Sequence, residues 1–373
     1  MKHAGGLTLL AVITLAALWP AGAQAASWSL QSAAIPTGAT FSTLNGVSCT
    51  TIKACMAVGR YGGTGGTVPF ADEYKSGTWT VRAMVNPTGS TETVAEGVSC
   101  SSSTACTAVG ATNIGAVFAE RWNGTSWTLQ STVSRAGGIL SSVSCPKSTE
   151  CIAVGEYLEA GKYVPLAERW NGTAWAIQTA PNPKGSEGTW LKSVSCTSST
   201  ACTAVGRYQS GGVMKTLAER YNGTAWSILS TLNPTGSTWA ELAGVSCYAT
   251  SECLAVGSYE TSSSSAKTLI ESLSSVFTLQ ENSANSSKAF TLLQGVSCPT
   301  GECLPVGAAG PEEPFSEHWI GIEGEEWASI PTPSEPSSQE DDLDSVSCPA
   351  VAECVAVGHY HHTVEKPLAE GYA

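Results

Sequence analysis

The stretch Leu191-Lys192-Ser193-Val194-Ser195-Cys196-Thr197-Ser198-Ser199-Thr200-Ala201-Cys202-Thr203-Ala204-Val205-Gly206-Arg207-Tyr208 decides the fold, because versions of it occur seven times. Each copy reads Leu-x-x-Val-Ser-Cys, a short turn, then Cys-x-Ala-Val-Gly-x-Tyr, with small departures. The 14 cysteines form seven close pairs: Cys49 with Cys55, Cys100 with Cys106, Cys145 with Cys151, Cys196 with Cys202, Cys247 with Cys253, Cys298 with Cys303 and Cys348 with Cys354. The first members lie 51, 45, 51, 51, 51 and 50 residues apart. A period near 50 marks a propeller, a solenoid or an array of repeats.

Each period divides into four short apolar runs separated by turn residues. In the fourth copy these are Trp190–Cys196, Ala201–Tyr208, Thr216–Tyr221 and Ala225–Leu229. Between the last two stands Asn222-Gly223, a two-residue hairpin signal that recurs as Asn123-Gly124 and Asn171-Gly172. The hairpin also accounts for the Asn-x-Thr glycosylation sequons these residues spell. Four antiparallel strands, a to d from the centre outward, make one propeller blade. The blade repeats start near residues 41, 92, 137, 188, 239, 290 and 340.

The chain ends separate a ring from a rod. Ser27-Trp28-Ser29-Leu30-Gln31 matches strand d (compare Ser126-Trp127-Thr128-Leu129-Gln130), and Lys366-Pro367-Leu368-Ala369-Glu370-Gly371-Tyr372 matches strand c. The last repeat lacks a fourth strand and the first residues supply one. This leaves no blade edge unpaired, whereas a solenoid would show capping repeats. The expected fold is all-β, a single seven-bladed propeller over residues 26–373. The repeats resemble those of kelch-type propellers, and also the Cys-containing repeats of secreted bacterial propellers. They share the order of a strand b with its glycine, an aromatic near the end of strand c and a Trp on strand d. They differ where kelch repeats carry paired glycines and this chain has Ala204-Val205-Gly206, and in the closer spacing of Trp122 and Trp127. The resemblance implies an architecture and no activity, since propellers serve many functions.

Residues 1–25 read as a secretory signal peptide: a basic start, an apolar run from Gly6 to Trp19, and Ala23-Gln24-Ala25 as cleavage site. The run is shorter than the roughly 20 residues a membrane span needs, and no span is expected in the mature chain. A secreted or cell-surface location favours oxidised cysteines, and C-x5-C is not a zinc spacing, so the seven pairs are expected as disulfides. The formal charge of −13 argues against nucleic acid or anionic membrane as partner.

Glu73, Glu120, Glu168, Glu219, Glu271, Glu317 and Glu370 read as one strand-c position in every blade, expected to accept inter-blade backbone hydrogen bonds. One active site must break sevenfold symmetry, so this set is structural. The serine before each first cysteine (Ser144 and Ser195, for example) is a hydrogen-bonding candidate, and the strand-b glycines, such as Gly206, permit close backbone approach. The b–c and d–a loops vary and share one face, where binding by a rigid scaffold usually lives. Candidate ligand-binding aromatics there are Tyr61, Tyr157, Trp190, Tyr208, Trp239, Tyr259 and Tyr360, with packing between blades as their alternative role. Asp341 and Asp342 with His359, His361 and His362 are the metal candidates; chance proximity of two polar loops is the ordinary account, and no cofactor is expected.

The expected function is a non-enzymatic binding or scaffold module, monomeric, recognising extracellular carbohydrate or protein. The alternative is a secreted propeller enzyme acting on polysaccharide, a glycoside hydrolase or lyase. That enzyme would need two carboxylates unique to single blades converging at the channel mouth.

Overall fold

The computed structural model describes residues 26–373 apart from 134, 263, 275–276, 280–289, 311–312, 319–327 and 337; the expected signal peptide lies outside the described residues. The described strands form seven four-stranded antiparallel sheets. In six of them the strands follow chain order. Strand a of successive blades spans Ser42–Thr51, Thr93–Ser102, Ile139–Lys147, Gly188–Ser198, Ser237–Ala249, Thr291–Ser297 and Glu340–Ala350. Blade seven continues with Glu353–His361 and Glu365–Tyr372 and takes its outer strand from Trp28–Gln31, at the other end of the described residues. Trp28 faces Tyr372 and Gln31 faces Ala369 in that pair, so the ring closes by zipping the two ends.

Apolar alternation along each strand places side chains on both faces of its sheet, and the core lies between blades. Leu191, Val194, Ala204 and Leu217 of blade four, for instance, pack against Ile152, Val154 and Ala167 of blade three. Leu44, Ala57 and Phe70 of blade one pack against Val355, Val357 and Ala369 of blade seven, which completes the circle.

Seven disulfides tie strand a to strand b beside the short turns. Cys49 is bonded to Cys55, Cys100 to Cys106, Cys145 to Cys151 and Cys196 to Cys202. Cys247 is bonded to Cys253, Cys298 to Cys303 and Cys348 to Cys354. In blade four Cys196 and Cys202 stand directly opposite each other in the ladder, which brings their side chains within bonding reach. Seven such bonds are consistent with an oxidising, extracytoplasmic environment. No helix among the described residues is long and apolar enough to cross a membrane.

Polar contacts reinforce the ring. The hydroxyl of each serine that precedes a first cysteine accepts the N–H of the first cysteine in the next blade. Cys196 donates to Ser144 Oγ at 3.0 Å, Cys247 to Ser195 at 3.0 Å, and Cys49 to Ser347 at 2.9 Å across the closure. All seven junctions have this bond.

The c–d hairpin differs from the two-residue turn expected. Tyr221 pairs with Trp226, so the loop is the four residues Asn222 to Ala225. Asn222 Oδ1 accepts from the N–H groups of Thr224 and Ala225, both at 3.0 Å, and Gly223 alone takes a positive φ of 94°. The asparagine side chain thus does what a second left-handed residue would do in a tighter turn. The paired rings of Tyr221 and Trp226, 5.3 Å apart, hold the hairpin shut.

Among the described residues, inter-blade backbone bonds reach four of the strand-c carboxylates, whereas Glu219 and Glu370, expected to accept such bonds, have no partner on either oxygen, and in one blade the position itself shifts. In blade one the position belongs to Asp72, not Glu73: Asp72 faces Ala57 as Glu120 faces Ala108 and Glu219 faces Ala204. Glu73, one residue later, points to the opposite face, where it pairs with Arg82 at 2.6 Å. Four of the ring carboxylates accept an N–H from the d–a linker of the preceding blade. Ala34 donates to Asp72 at 2.7 Å, Val85 to Glu120 at 2.7 Å, Leu232 to Glu271 at 2.9 Å and Val133 to Glu168 at 3.5 Å.

Candidate functional site

Strand a carries an irregularity at one place in every blade. In blade four Leu191 pairs with Gly206 and Ser193 with Val205, so Lys192 is an extra residue without a cross-strand partner. Such a bulge re-aims one side chain and bends the strand. The bulged residues are Asn45, Glu96, Ser141, Lys192, Ala243, Gln294 and Asp344. Gly206 is what the bulge requires: a Cβ there would lie 2.0 Å from the carbonyl oxygen of Trp190. The equivalent glycines of the other blades meet the same obstruction.

All seven bulged residues point into the central channel and line a cavity of about 500 Å³ at its upper end. Beneath it a narrower space of about 210 Å³ continues between the seven innermost strands. Because Thr43 lies near the start of strand a and Arg60 near the end of strand b, the larger cavity opens toward the face carrying the variable loops. Thr43, Arg60, Glu156, Glu241, His359 and Glu365 complete its charged and polar wall.

The charges on this wall are unevenly matched. Glu241 forms an ion pair with Arg207, whose guanidinium lies between two indoles, 5.5 Å from the Trp190 ring and 5.8 Å from that of Trp239. Asp344 Oδ2 lies 3.1 Å from His359 Nδ1, and Asp342 reaches the other ring nitrogen at 3.8 Å. The bond to Asp344 pushes the His359 pKa up against the opposing effect of burial. Glu156 is only 5% exposed, and its Oε2 is sealed without a hydrogen-bond partner. Burial raises its pKa to about 7, with Lys192 and Arg207 pulling the other way. Glu96 is likewise pushed up by burial, opposed by Arg60 and Lys192. Its closest bond is a long one, 3.5 Å from Asn45 Nδ2.

Of the residues singled out in the sequence, Trp190 and Trp239 are brought together around Arg207 beside this cavity, and Tyr163 packs on Trp190 at 5.8 Å. Tyr61, Tyr157, Tyr208, Tyr259 and Tyr360 are half-buried and pack against the inter-blade clusters. They stand around the rim of the ring, apart from one another, and none lines the cavity. Asp342 and His359 meet, whereas Asp341 turns to the buried side and accepts the N–H of Glu335 at 2.8 Å. His361 lies across from Glu340 and Glu365 at the strand ends, and His362 follows it beyond the end of strand b. Among the described residues no group of three His, Cys, Asp or Glu side chains could hold a metal ion.

The bulged positions were missed by reasoning on the sequence, although a signal existed. They are the first variable residue of Leu-x-x-Val-Ser-Cys, a place in a repeated strand where the chemistry changes from blade to blade, as it also does at the residue after the strand-b glycine. The cavity carboxylates Glu96, Glu156, Glu241, Asp344 and Glu365 are all specific to single blades; none belongs to the repeated strand-c ring.

No protein-family model matches the chain, and no curated protein matches it in sequence. Solved structures do resemble it. YCF48 bound to D1 peptide is 13% identical, with 93% of this chain and 96% of that one covered and a TM-score of 0.58. YCF48 from Cyanidioschyzon merolae is 12% identical, with 93% and 98% covered and a TM-score of 0.57. The WD40 β-propeller domain of Doa1 is 13% identical, with 92% and 97% covered and a TM-score of 0.50. At these identities the likeness is one of fold.

Proposed function

We propose that the protein is an exported, monomeric, kelch-like binding module whose variable-loop face recognises a protein or carbohydrate outside the membrane. The observation that carries this reading is the concentration of blade-specific side chains. Within the repeated strands a and b, blade-specific charged and polar side chains gather in one cavity at the channel mouth, on the face that also bears the variable loops. A stiff stapled ring beneath such a face suits recognition, because little order must be imposed on binding. Among the similar folds, YCF48 is known bound to a D1 peptide, which favours protein over sugar as the partner class. Binding of the labelled protein to arrays of extracellular proteins and glycans tests this. Binding that survives truncation of Trp190 and Trp239 together with Glu156→Gln would remove this face from the account, and an absence of binding to both arrays would remove the function.

A polysaccharide-cleaving enzyme is the second reading, favoured by one observation. Blade-specific carboxylates converge in the cavity, and Glu156, held protonated up to about pH 7, has the property a general acid needs. Release of reducing ends from acidic and neutral glycans, absent in Glu156→Gln, would establish it.

A further inference from the structure

We propose that the channel mouth takes up the ammonium or guanidinium group of a lysine or arginine side chain from a protein partner, with Glu156 and Glu96 as its counter-charges. This rests on the protein-recognition reading above and specifies its anchor.

Five carboxylates line the cavity beside Arg60, Lys192 and His359, and among the described residues two of the five are held in direct pairs. Arg207 is committed to Glu241 and His359 to Asp344. Glu156 is the lining carboxylate least exposed to solvent, yet among the described residues it has no hydrogen-bond or ion-pair partner. A buried carboxylate without a partner is costly, and a ligand that supplies the partner recovers that cost on binding. Glu96, on the neighbouring blade, faces the same space with only the long contact from Asn45. The groups that face Glu156 are Lys192 and Arg207 on blade four, Glu96 on blade two and Glu241 on blade five. Both cations act on it through space, and neither forms an ion pair with it.

The ligand's charge and shape follow from the same wall. A neutral sugar hydroxyl would leave the negative charge uncompensated, and an anion would add to it. The chain's formal charge of −13 draws basic partners toward it and repels acidic ones. The cavity lies inside the channel below the loops, so a group reaching Glu156 from a docked partner needs an extended stem, which lysine and arginine have. Half-buried Trp190 and exposed Tyr163, packed together, offer apolar surface for that stem.

The test is titration of the full mature protein with Nα-acetyl-lysine methylamide, its arginine, norleucine and glutamate counterparts, and n-butylamine, read by NMR shifts. A display selection of random peptides runs in parallel. Lysine and arginine probes should bind at pH 8, and norleucine and glutamate probes should not. Glu156→Gln and, as a more exposed second variant, Glu96→Gln should each weaken binding about tenfold or more. Lys192→Met should strengthen it, since it removes a competing cation. Lowering the pH from 8 to 5.5 protonates Glu156, whose pKa is about 7, and should weaken binding roughly thirtyfold. Equal binding of norleucine, preference for glutamate, indifference to both Gln variants, or loss of binding in Lys192→Met would overturn the proposal. So would n-butylamine binding as tightly as any selected peptide, which would put a free amine in the channel. Selected peptides that lack Lys and Arg and bind Glu156→Gln equally would sink the cationic anchor while leaving protein recognition standing. A selection with no binders would sink both.

Discussion

Converting Glu219 to glutamine should change the pH dependence of stability more than stability itself. Glu219 is fully buried and neither of its carboxyl oxygens has a hydrogen-bond partner. Burial alone lifts its pKa from 4.5 to about 8. A carboxyl whose pKa is higher in the folded protein than in the unfolded chain stabilises the fold below the unfolded value and loses that contribution as pH rises through the folded one. Between pH 5 and pH 8 the loss from this one side chain comes to roughly 3 kcal/mol. A chain of this size melts with an entropy that converts each kcal/mol to about 1.4 °C, so the effect is about 4 °C. Glutamine cannot ionise, and the cost of burying its amide is the same at both pH values and cancels in the comparison. Scanning calorimetry at one fixed scan rate, at pH 5 and pH 8, should show the variant gaining about 4 °C on wild type at the higher pH. A constant gap would mean that Glu219 does not titrate in this window. A gap that closes toward pH 8 would mean that the folded protein stabilises the ionised form, and the desolvation reasoning would be wrong.

The other ring carboxyls behave alike: Asp72, Glu120, Glu168 and Glu271 are held near 7 and Glu370 near 8, so wild type should melt higher at pH 5 than at pH 8 in the same scans. Gly206→Ala forces a Cβ against the Trp190 carbonyl and should cost about 3 kcal/mol or more, seen as loss of soluble protein or a fall in melting temperature of several degrees. Ser144→Ala deprives the Cys196 N–H of its acceptor. It should cost about 1–2 kcal/mol and speed amide exchange at Cys196 selectively, which hydrogen-exchange mass spectrometry can localise. Deleting residues 26–33 removes the outer strand of blade seven and should lower the melting temperature and make the protein associate through the bared edge of Glu365–Tyr372. A monomeric deletion variant, by light scattering, would show that the edge is covered in another way.

The ring itself was readable because its causes repeat. Seven Val-Ser-Cys strands, seven cysteine partners and two complementary ends leave a closed propeller as the arrangement that pairs every edge. The error at Glu73 came from matching a letter instead of a geometry. The ring position is the carboxylate two residues after the buried aromatic or aliphatic of strand c, Phe70 in blade one and Leu217 in blade four, and Asp72 fills it as well as a glutamate does. The channel wall was harder to see for a physical reason. Strict alternation sends neighbouring residues to opposite faces of a sheet, which would assign Lys192 to an inter-blade face. The bulge breaks that alternation, and it exists because Gly206 has no side chain to keep the Trp190 carbonyl at a distance. The invariant glycine and the variable residue are therefore two halves of one device. Keeping the glycine in every blade turns one residue of each innermost strand toward the channel, and once its side chain no longer packs between blades its identity is free to differ. A strongly repeated residue can thus be the reason that the residue opposite it is not repeated, and the varied channel wall of this propeller follows from its most structural position.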